Sequence, residues 1–86
     1  NKKQSTWVYN AYDRIVDYLK SPDVNAEDVC LNVTLRGCLG ALENITEGED
    51  AKEALRNTLI GKISEVDLQL AEDVYKDVVL ALPELY

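Results

Sequence analysis

The sequence predicts an all-α fold, in the form of a small antiparallel four-helix bundle. Two segments carry apolar residues at steps of four and three, a spacing that places them along one side of an α-helix. These residues are Leu31, Leu35, Cys38, Leu42 and Ile45 in the first segment, and Ala71, Tyr75, Val78 and Leu82 in the second. No segment shows the sustained apolar and polar alternation between hairpin turns that is typical of β-strands. The breaks between helical patterns are about 2 to 5 residues long, which favours antiparallel neighbours.

The chain length and composition fit one small helical domain, residues 1–86, with a narrow margin of stability. A chain of 86 residues buries a smaller share of its surface than a domain of about 150 residues does. Hydrophobic residues make up 47% of the chain and charged residues 29%, which is a globular composition. The chain begins with Asn and shows no signal-peptide pattern, so we expect it to be a processed or excised piece of a longer protein.

The first helix is predicted over about residues 6–20 from the apolar spacing. Ser5 is its expected N-cap, and Pro22 ends it because proline lacks the amide hydrogen that helix continuation needs. Its inner face is predicted to contain Val8, Tyr12, Ile15 and Leu19. Trp7 and Tyr9 fall on opposite flanks of that face, so this helix would contact two neighbours, or one neighbour and an external partner.

The second helix is predicted as one continuous element over about residues 26–45, with Asn25 as its N-cap. Val29, Val33 and Leu39 lie outside its main apolar stripe, so the helix is apolar over most of its circumference. That profile is typical of the central helix of a bundle. Gly37 and Gly40 each weaken a helix by about 1 kcal/mol relative to alanine, a cost usually accepted where another helix approaches closely.

The remaining two helices are predicted over about residues 50–62 and about residues 65–82. A polar turn precedes the third helix. Ser64 followed by Asp67 resembles a capping box at the start of the fourth helix, and Pro83 ends that helix.

The two cysteines, Cys30 and Cys38, are eight residues apart in what the pattern indicates is one helix. A rise of 1.5 Å per residue separates their Cα atoms by about 12 Å, whereas a disulfide needs less than about 7 Å. We therefore expect two small buried apolar residues, unless the helix breaks between them. An intermolecular or local disulfide is the alternative.

Two tripeptides match the acceptor pattern for N-glycosylation, Asn32-Val33-Thr34 and Asn44-Ile45-Thr46. The pattern has meaning only in a secreted chain, and such short patterns often arise by chance. Asn44 lies near a predicted helix end and is the better placed of the two, because Asn32 would lie inside a helix.

The net charge of −7 is concentrated downstream of residue 20. A negatively charged body repels phosphate backbones and anionic lipid, so we expect neither nucleic acid nor a membrane as the partner. No apolar run approaches the roughly 20 residues that span a bilayer. We expect a soluble chain, with the cytoplasm slightly favoured over secretion.

The chain contains no histidine, the usual base of nucleophilic and acid–base sites and a common metal ligand. Its paired carboxylates are predicted on solvent-facing positions, namely Asp13 with Asp17, Glu49 with Glu53, and Asp73 with Asp77. Cys30 and Cys38 alone do not complete a zinc site. The sequence therefore predicts a protein that is not an enzyme and that holds neither a metal nor a cofactor.

Surplus apolar and aromatic positions predict a protein-interaction domain. The candidate interface residues are Trp7, Tyr9, Val29, Val33 and Leu80. Val29, Val33 and Leu80 are more apolar than a solvated helix face requires. Trp7 and Tyr9 are included because aromatic anchors dominate binding energy in such patches. The partner would be another protein or a second copy of the chain. A larger core that covers these residues is the alternative interpretation of the same positions.

A second functional hypothesis is a small secreted helical carrier that holds an apolar ligand between its helices. The tyrosines, the cysteines and the two acceptor tripeptides suggest it.

The stretch from Arg36 to Leu55, RGCLGALENITEGEDAKEAL, resembles the second and third helices of an armadillo-type repeat. Residues 15–23 resemble the helix that would precede them. The resemblance covers little more than one unit, and repeats of this kind bury their faces against neighbouring units. It implies a fragment of an α-solenoid scaffold that binds proteins.

Overall fold

The computed structural model describes residues 1–85, and it confirms an all-α fold with no β-strand among those residues. Within residues 1–85, five α-helices are accompanied by one 3-10 helix and two π-helical segments. In chain order the elements are α1 (Lys2–Lys20), the 3-10 helix (Glu27–Asn32), α2 (Leu35–Thr46), α3 (Ala51–Leu55), a π-helical segment (Arg56–Ile60), α4 (Gly61–Ser64), α5 (Leu68–Val74) and a second π-helical segment (Tyr75–Val79).

Helix α1 begins earlier than the sequence predicts, because Asn1 and not Ser5 is its N-cap. The Asn1 side chain accepts a hydrogen bond from the Gln4 amide at 2.9 Å, and the Gln4 side chain accepts one from the N-terminal amine at 3.3 Å. This reciprocal capping box satisfies two backbone N–H donors that helix geometry leaves free, the N-terminal amine and the Gln4 amide. Ser5 lies inside the helix and donates its hydroxyl to the Asn1 carbonyl.

The predicted continuous helix over residues 26–45 is wrong. The chain instead forms the 3-10 helix, passes through an extended residue, Val33, and starts α2 at Leu35. Thr34 has extended backbone angles, and its hydroxyl accepts a hydrogen bond from the Gly37 amide at 3.3 Å, so it is the N-cap of α2. Asn25, the expected N-cap, has a φ of 53° and caps nothing with its side chain.

This break reverses which apolar residues are buried. Val29 and Val33 are only 6% and 3% exposed, whereas Leu31 and Leu35 are 81% and 58% exposed. A continuous helix would have turned the two leucines inward with Cys38. The extended residue shifts the phase of the helical periodicity, and the two valines fill the core instead.

The core draws on every helix of the described chain. Its largest fully buried side chains are Val8, Ile15, Leu19, Cys38, Leu55, Leu59, Ile63, Val74 and Val79. The continuous stretch 51–64 supplies three of these, while α2 buries only Cys38, Ala41 and Ile45. Since α1 also supplies three of them, α2 contributes less to the core than either α1 or residues 51–64, contrary to the central position expected of the second helix.

Two glycines allow α2 to lie close to residues 51–64. A Cβ atom built on Gly37 would lie 2.7 Å from Cδ2 of Leu59, and one built on Gly40 would lie 3.5 Å from Cγ2 of Thr58. The first distance is far shorter than carbon–carbon contact allows, so a side chain at position 37 would force the side chain of Leu59 to move.

Helix α5 begins at Leu68 because Asp67 caps it, accepting a hydrogen bond from the Leu70 amide at 3.0 Å. Ser64, the expected cap, instead donates its hydroxyl to the Gly61 carbonyl at 2.8 Å.

The last part of the described chain folds back on α1. Leu82 and Leu85 are buried, and the Trp7 indole N–H donates to the Pro83 carbonyl at 2.8 Å.

Candidate protein-interaction site

Three of the five residues predicted at an interface lie in the core. Trp7 is 8% exposed, and its indole N–H donates a hydrogen bond to the Pro83 carbonyl. Val29 and Val33 are buried because the chain breaks between the 3-10 helix and α2. Their apolar character is explained by the core, and none of the three presents an open side chain to a partner.

The other two candidates lie at the surface on different elements. Tyr9 is 36% exposed on α1, and Leu80 is 51% exposed at the end of the second π-helical segment. The Leu80 carbonyl accepts a hydrogen bond from the Lys52 amine at 3.3 Å, and the same amine pairs with Glu84 at 3.3 Å. Leu80 therefore lies beside a charged pair.

A row of exposed apolar side chains lies instead on α2. Seven large apolar side chains of the described chain are exposed, and three of them, Leu31, Leu35 and Leu39, follow one another at intervals of four. Leu35 is 58% and Leu39 54% exposed, and Leu42 is partly buried against the core. We call Leu35, Leu39 and Leu42 the leucine strip. Their steps of four and three place all three on one side of α2.

Charged residues border the leucine strip. An open groove of about 350 Å³ runs beside Leu39 and Leu42 and is also lined by Glu43, Thr46 and Glu47. Arg36 and Glu43 are seven residues apart, so they share one flank of the strip. Both are exposed, and within residues 1–85 neither makes a salt bridge or a side-chain hydrogen bond.

The leucines of the strip were visible in the sequence, but the pattern assigned two of them to the core. Leu35 and Leu42 belong to the four-and-three series that was expected to face inward. The missed signal is Thr34, an N-cap residue type that directly precedes Leu35. An N-cap there ends any continuity with the preceding turn, and the phase of burial can then differ on its two sides.

The two cysteines are free and lie on opposite sides of the break between the 3-10 helix and α2. Burial, with a smaller contribution from the Asp13 charge, raises the pKa of Cys38 to about 11. Burial also raises the pKa of Cys30, and nearby Lys20 partly opposes that shift. A thiol with a raised pKa is a poor nucleophile near neutral pH, so neither environment activates the sulfur.

Two carboxylates of the last helical stretch make structural contacts. Asp77 accepts a hydrogen bond from the Tyr18 hydroxyl at 2.8 Å, and Asp73 accepts one from the Gln69 side chain at 3.1 Å. The hydrogen bond to Asp77 is the main reason that the pKa of Tyr18 is raised to about 12, followed by burial and the charges of Asp77 and Asp73. Within residues 1–85, no group of three or more acidic or cysteine side chains is placed to hold a metal ion.

A groove of about 540 Å³ is open at the surface. It lies at the start of α1 and the end of the described chain, between Lys2, Lys3, Trp7 and Leu85. A carrier of an apolar ligand was expected to hold it between helices. This groove lies beside α1 and residues 84–85, whereas a smaller groove of about 290 Å³ lies between α2 and residues 57–62.

The two acceptor tripeptides are exposed in the reverse of the expected order. Asn32 lies at the exposed end of the 3-10 helix, whereas Asn44 lies inside α2 and is partly buried. The break before α2 is again the reason, because it takes Asn32 out of a helix interior.

Comparison of the chain with protein-family models, curated proteins and solved structures gives no match. The resemblance of residues 36–55 to an armadillo-type unit therefore depends on those residues alone. Among the described residues, every helix is too short or too polar to cross a membrane.

Proposed function

We propose that this protein is a non-enzymatic helical interaction domain, and that the leucine strip on α2 is its docking surface. The observation that carries the proposal is the exposure of Leu35 and Leu39, at 58% and 54%, next to each other on one helix face. Full burial of a leucine contributes roughly 1.5–3 kcal/mol, so a partner that covers both side chains gains substantial binding energy.

The composition of this surface supports a protein partner. Interfaces combine an apolar centre with a polar, charged rim, and α2 presents this arrangement with Arg36, Glu43 and Glu47 around the strip. A helix face with leucines at steps of four and three also matches the way helices dock against one another. The aromatic component expected from Trp7 is absent from this surface, since Trp7 is buried.

We also propose the finer architecture, an antiparallel four-helix bundle, for the four long helical stretches 2–20, 35–46, 51–64 and 68–79. The two turns 47–50 and 65–67 are short, which favours antiparallel neighbours.

A site-specific photocrosslinking experiment tests the docking surface. Benzoylphenylalanine replaces either Leu39 or Leu80, which are both leucines and are 54% and 51% exposed. Each variant is irradiated in an extract of the source cells, and its adducts are identified by mass spectrometry. We expect protein adducts at position 39. Adducts with another protein are expected to be suppressed by excess wild-type protein and not by excess Leu39→Asp protein, whereas adducts with the chain itself are expected to increase with added wild-type protein and not with added Leu39→Asp protein.

Equal adduct yields at the two positions would contradict the proposal, and so would the absence of adducts at position 39. Circular dichroism and urea unfolding of the Leu39→Asp competitor provide the control for folding. Leu39 is mostly solvated, so its replacement is expected to leave the fold intact.

A further inference from the structure

We infer that the occupant of the leucine strip is a second copy of this chain, bound through α2 in an antiparallel, two-fold symmetric pair. The inference rests on the proposed function, because it names the partner of the same surface. The spacing of the strip carries its first step. Leu35, Leu39 and Leu42, followed by Thr46, alternate steps of four and three, which is the seam of a pair of packed helices.

The charges beside the strip determine the orientation. Arg36 and Glu43 occupy equivalent positions one heptad apart, on the same flank of the seam. When one helix is reversed against an identical one, the same flanks of the two helices face each other. Arg36 of each copy then faces Glu43 of the other, so the pair contains two ion pairs of opposite charge related by the two-fold axis.

The axis of such a pair lies at the level of Gly40, midway between the two charged residues. Leu39 of one copy then contacts Leu42 of the other, and Leu35 lies over Thr46. A parallel pair offers no such complementarity, because the flank facing Arg36 and Glu43 would be formed by Cys38 and Ile45. Both of those side chains are buried in the core. The strip is therefore complementary to itself in the antiparallel orientation.

The expected affinity is modest. Helix α2 has 12 residues, and one such pair of helices buries less than the roughly 1,600 Å² of a standard stable interface. Each copy also carries a net charge of −7, which opposes association at low salt. We therefore expect a monomer–dimer equilibrium that depends on protein concentration.

Charge-reversal variants test this arrangement by sedimentation equilibrium from about 10 μM to about 1 mM protein. The wild-type mass is expected to rise with concentration from 9.6 kDa towards twice that value. Arg36→Glu and Glu43→Arg each place like charges opposite one another twice in the dimer. Each is expected to weaken dimerisation about tenfold, equivalent to about 1.4 kcal/mol.

Two recombined forms distinguish the specific pairing from a general effect of charge. The double variant Arg36→Glu/Glu43→Arg keeps the wild-type net charge and exchanges the ion pairs, so it is expected to recover wild-type dimerisation. An equimolar mixture of the two single variants is expected to form a heterodimer, because both of its pairs are again of opposite charge. Neither residue has an ion pair in the described chain, so urea unfolding of all variants is expected to change little.

A wild-type chain that stays monomeric throughout this range would overturn the inference. Dimerisation that is indifferent to both single reversals, or that neither recombined form restores, would overturn it as well. Photocrosslinking at position 39 separates these failures from failure of the proposed function. Adducts there with a different protein, together with a monomeric chain, would retain the docking surface and reject the second copy as its occupant.

Discussion

Gly37 and Gly40 both face the Arg56–Ile60 segment from α2, yet an added methyl group would meet different surroundings at each. At Gly37 it would overlap with Leu59, whose side chain is fully buried, and at Gly40 it would make an ordinary contact with Thr58. The sequence indicated that glycines here could mark a close helix contact. The distances indicate a close helix contact at Gly37, whereas at Gly40 there is room for a methyl group.

The glycine pair gives a prediction about stability. Gly40→Ala is expected to raise the free energy of unfolding by up to about 1 kcal/mol, because alanine favours the helix. Gly37→Ala is expected to lower it, because overpacking a core costs about 1–3 kcal/mol and outweighs that gain. Urea denaturation of both variants measures the difference. If the two substitutions stabilised the protein equally, the close approach at Gly37 would be wrong.

Residue identity predicted some of the local environments and not others. Ile15 and Leu19 were expected on the inner face of the first helix, and both are fully buried. Trp7 was expected on a flank with access to a partner, but it is buried by the returning chain end, whose Pro83 accepts its indole N–H. Periodicity within one helix carries no information about a segment 76 residues away.

At the level of secondary structure, the break between the 3-10 helix and α2 has the largest consequence. Thr34 defines it by capping α2, and the extended Val33 places its own side chain in the core. The leucine strip exists because of this break, since an unbroken helix would have turned Leu35 inward. The exposure of the candidate docking surface therefore depends on the N-cap at Thr34.

Thr34→Ala tests the break by the sign of its effect. Loss of an N-cap side chain costs about 1 kcal/mol, so we expect the free energy of unfolding to fall by that amount. In a continuous helix the same substitution would raise it by about 0.5 kcal/mol, because alanine is the better helix former. Urea unfolding measures the change, and Thr46→Ala at the exposed end of α2 is the control, with an expected effect within about 0.5 kcal/mol. A stabilising Thr34→Ala would contradict the cap.

At the level of the whole molecule, two side-chain hydrogen bonds join α1 to residues 77 and 83. The Trp7 indole donates to Pro83 near one end of α1, and the Tyr18 hydroxyl donates to Asp77 near the other. Together with the buried side chains of Leu82 and Leu85, these hydrogen bonds hold the last described residues against α1. Neither bond follows from a local pattern, because their partners are 76 and 59 residues apart.

The Tyr18–Asp77 bond predicts how stability changes at high pH. The pKa of Tyr18 is raised from 10.0 to about 12 in the folded chain. The unfolded chain therefore releases this proton at lower pH than the folded chain, so the stabilisation is complete below pH 10 and is lost as pH rises towards about 12. Thermal unfolding of wild type and Tyr18→Phe across this range measures it, and the variant is expected to show a shallower decline.

Ultraviolet titration of the tyrosines provides the direct check on Tyr18. Asp77→Asn removes the charged acceptor and is expected to return the pKa of Tyr18 towards 10.0, since that hydrogen bond is the largest cause of the shift. Equal slopes of stability against pH in wild type and Tyr18→Phe would show that the bond to Asp77 contributes nothing to the folded state.

The sequence by itself determined that this protein is built from helices. Spacings of three and four residues reflect the 3.6-residue turn, a local property that any window of the chain reveals. Only the tertiary structure decided which apolar face of the second segment is buried. Valine and leucine are equally acceptable in a core, so Val29 and Val33 could replace Leu31 and Leu35 once Thr34 started a new helix. The choice between two apolar faces depends on the shape of the neighbouring helices, which no local pattern contains.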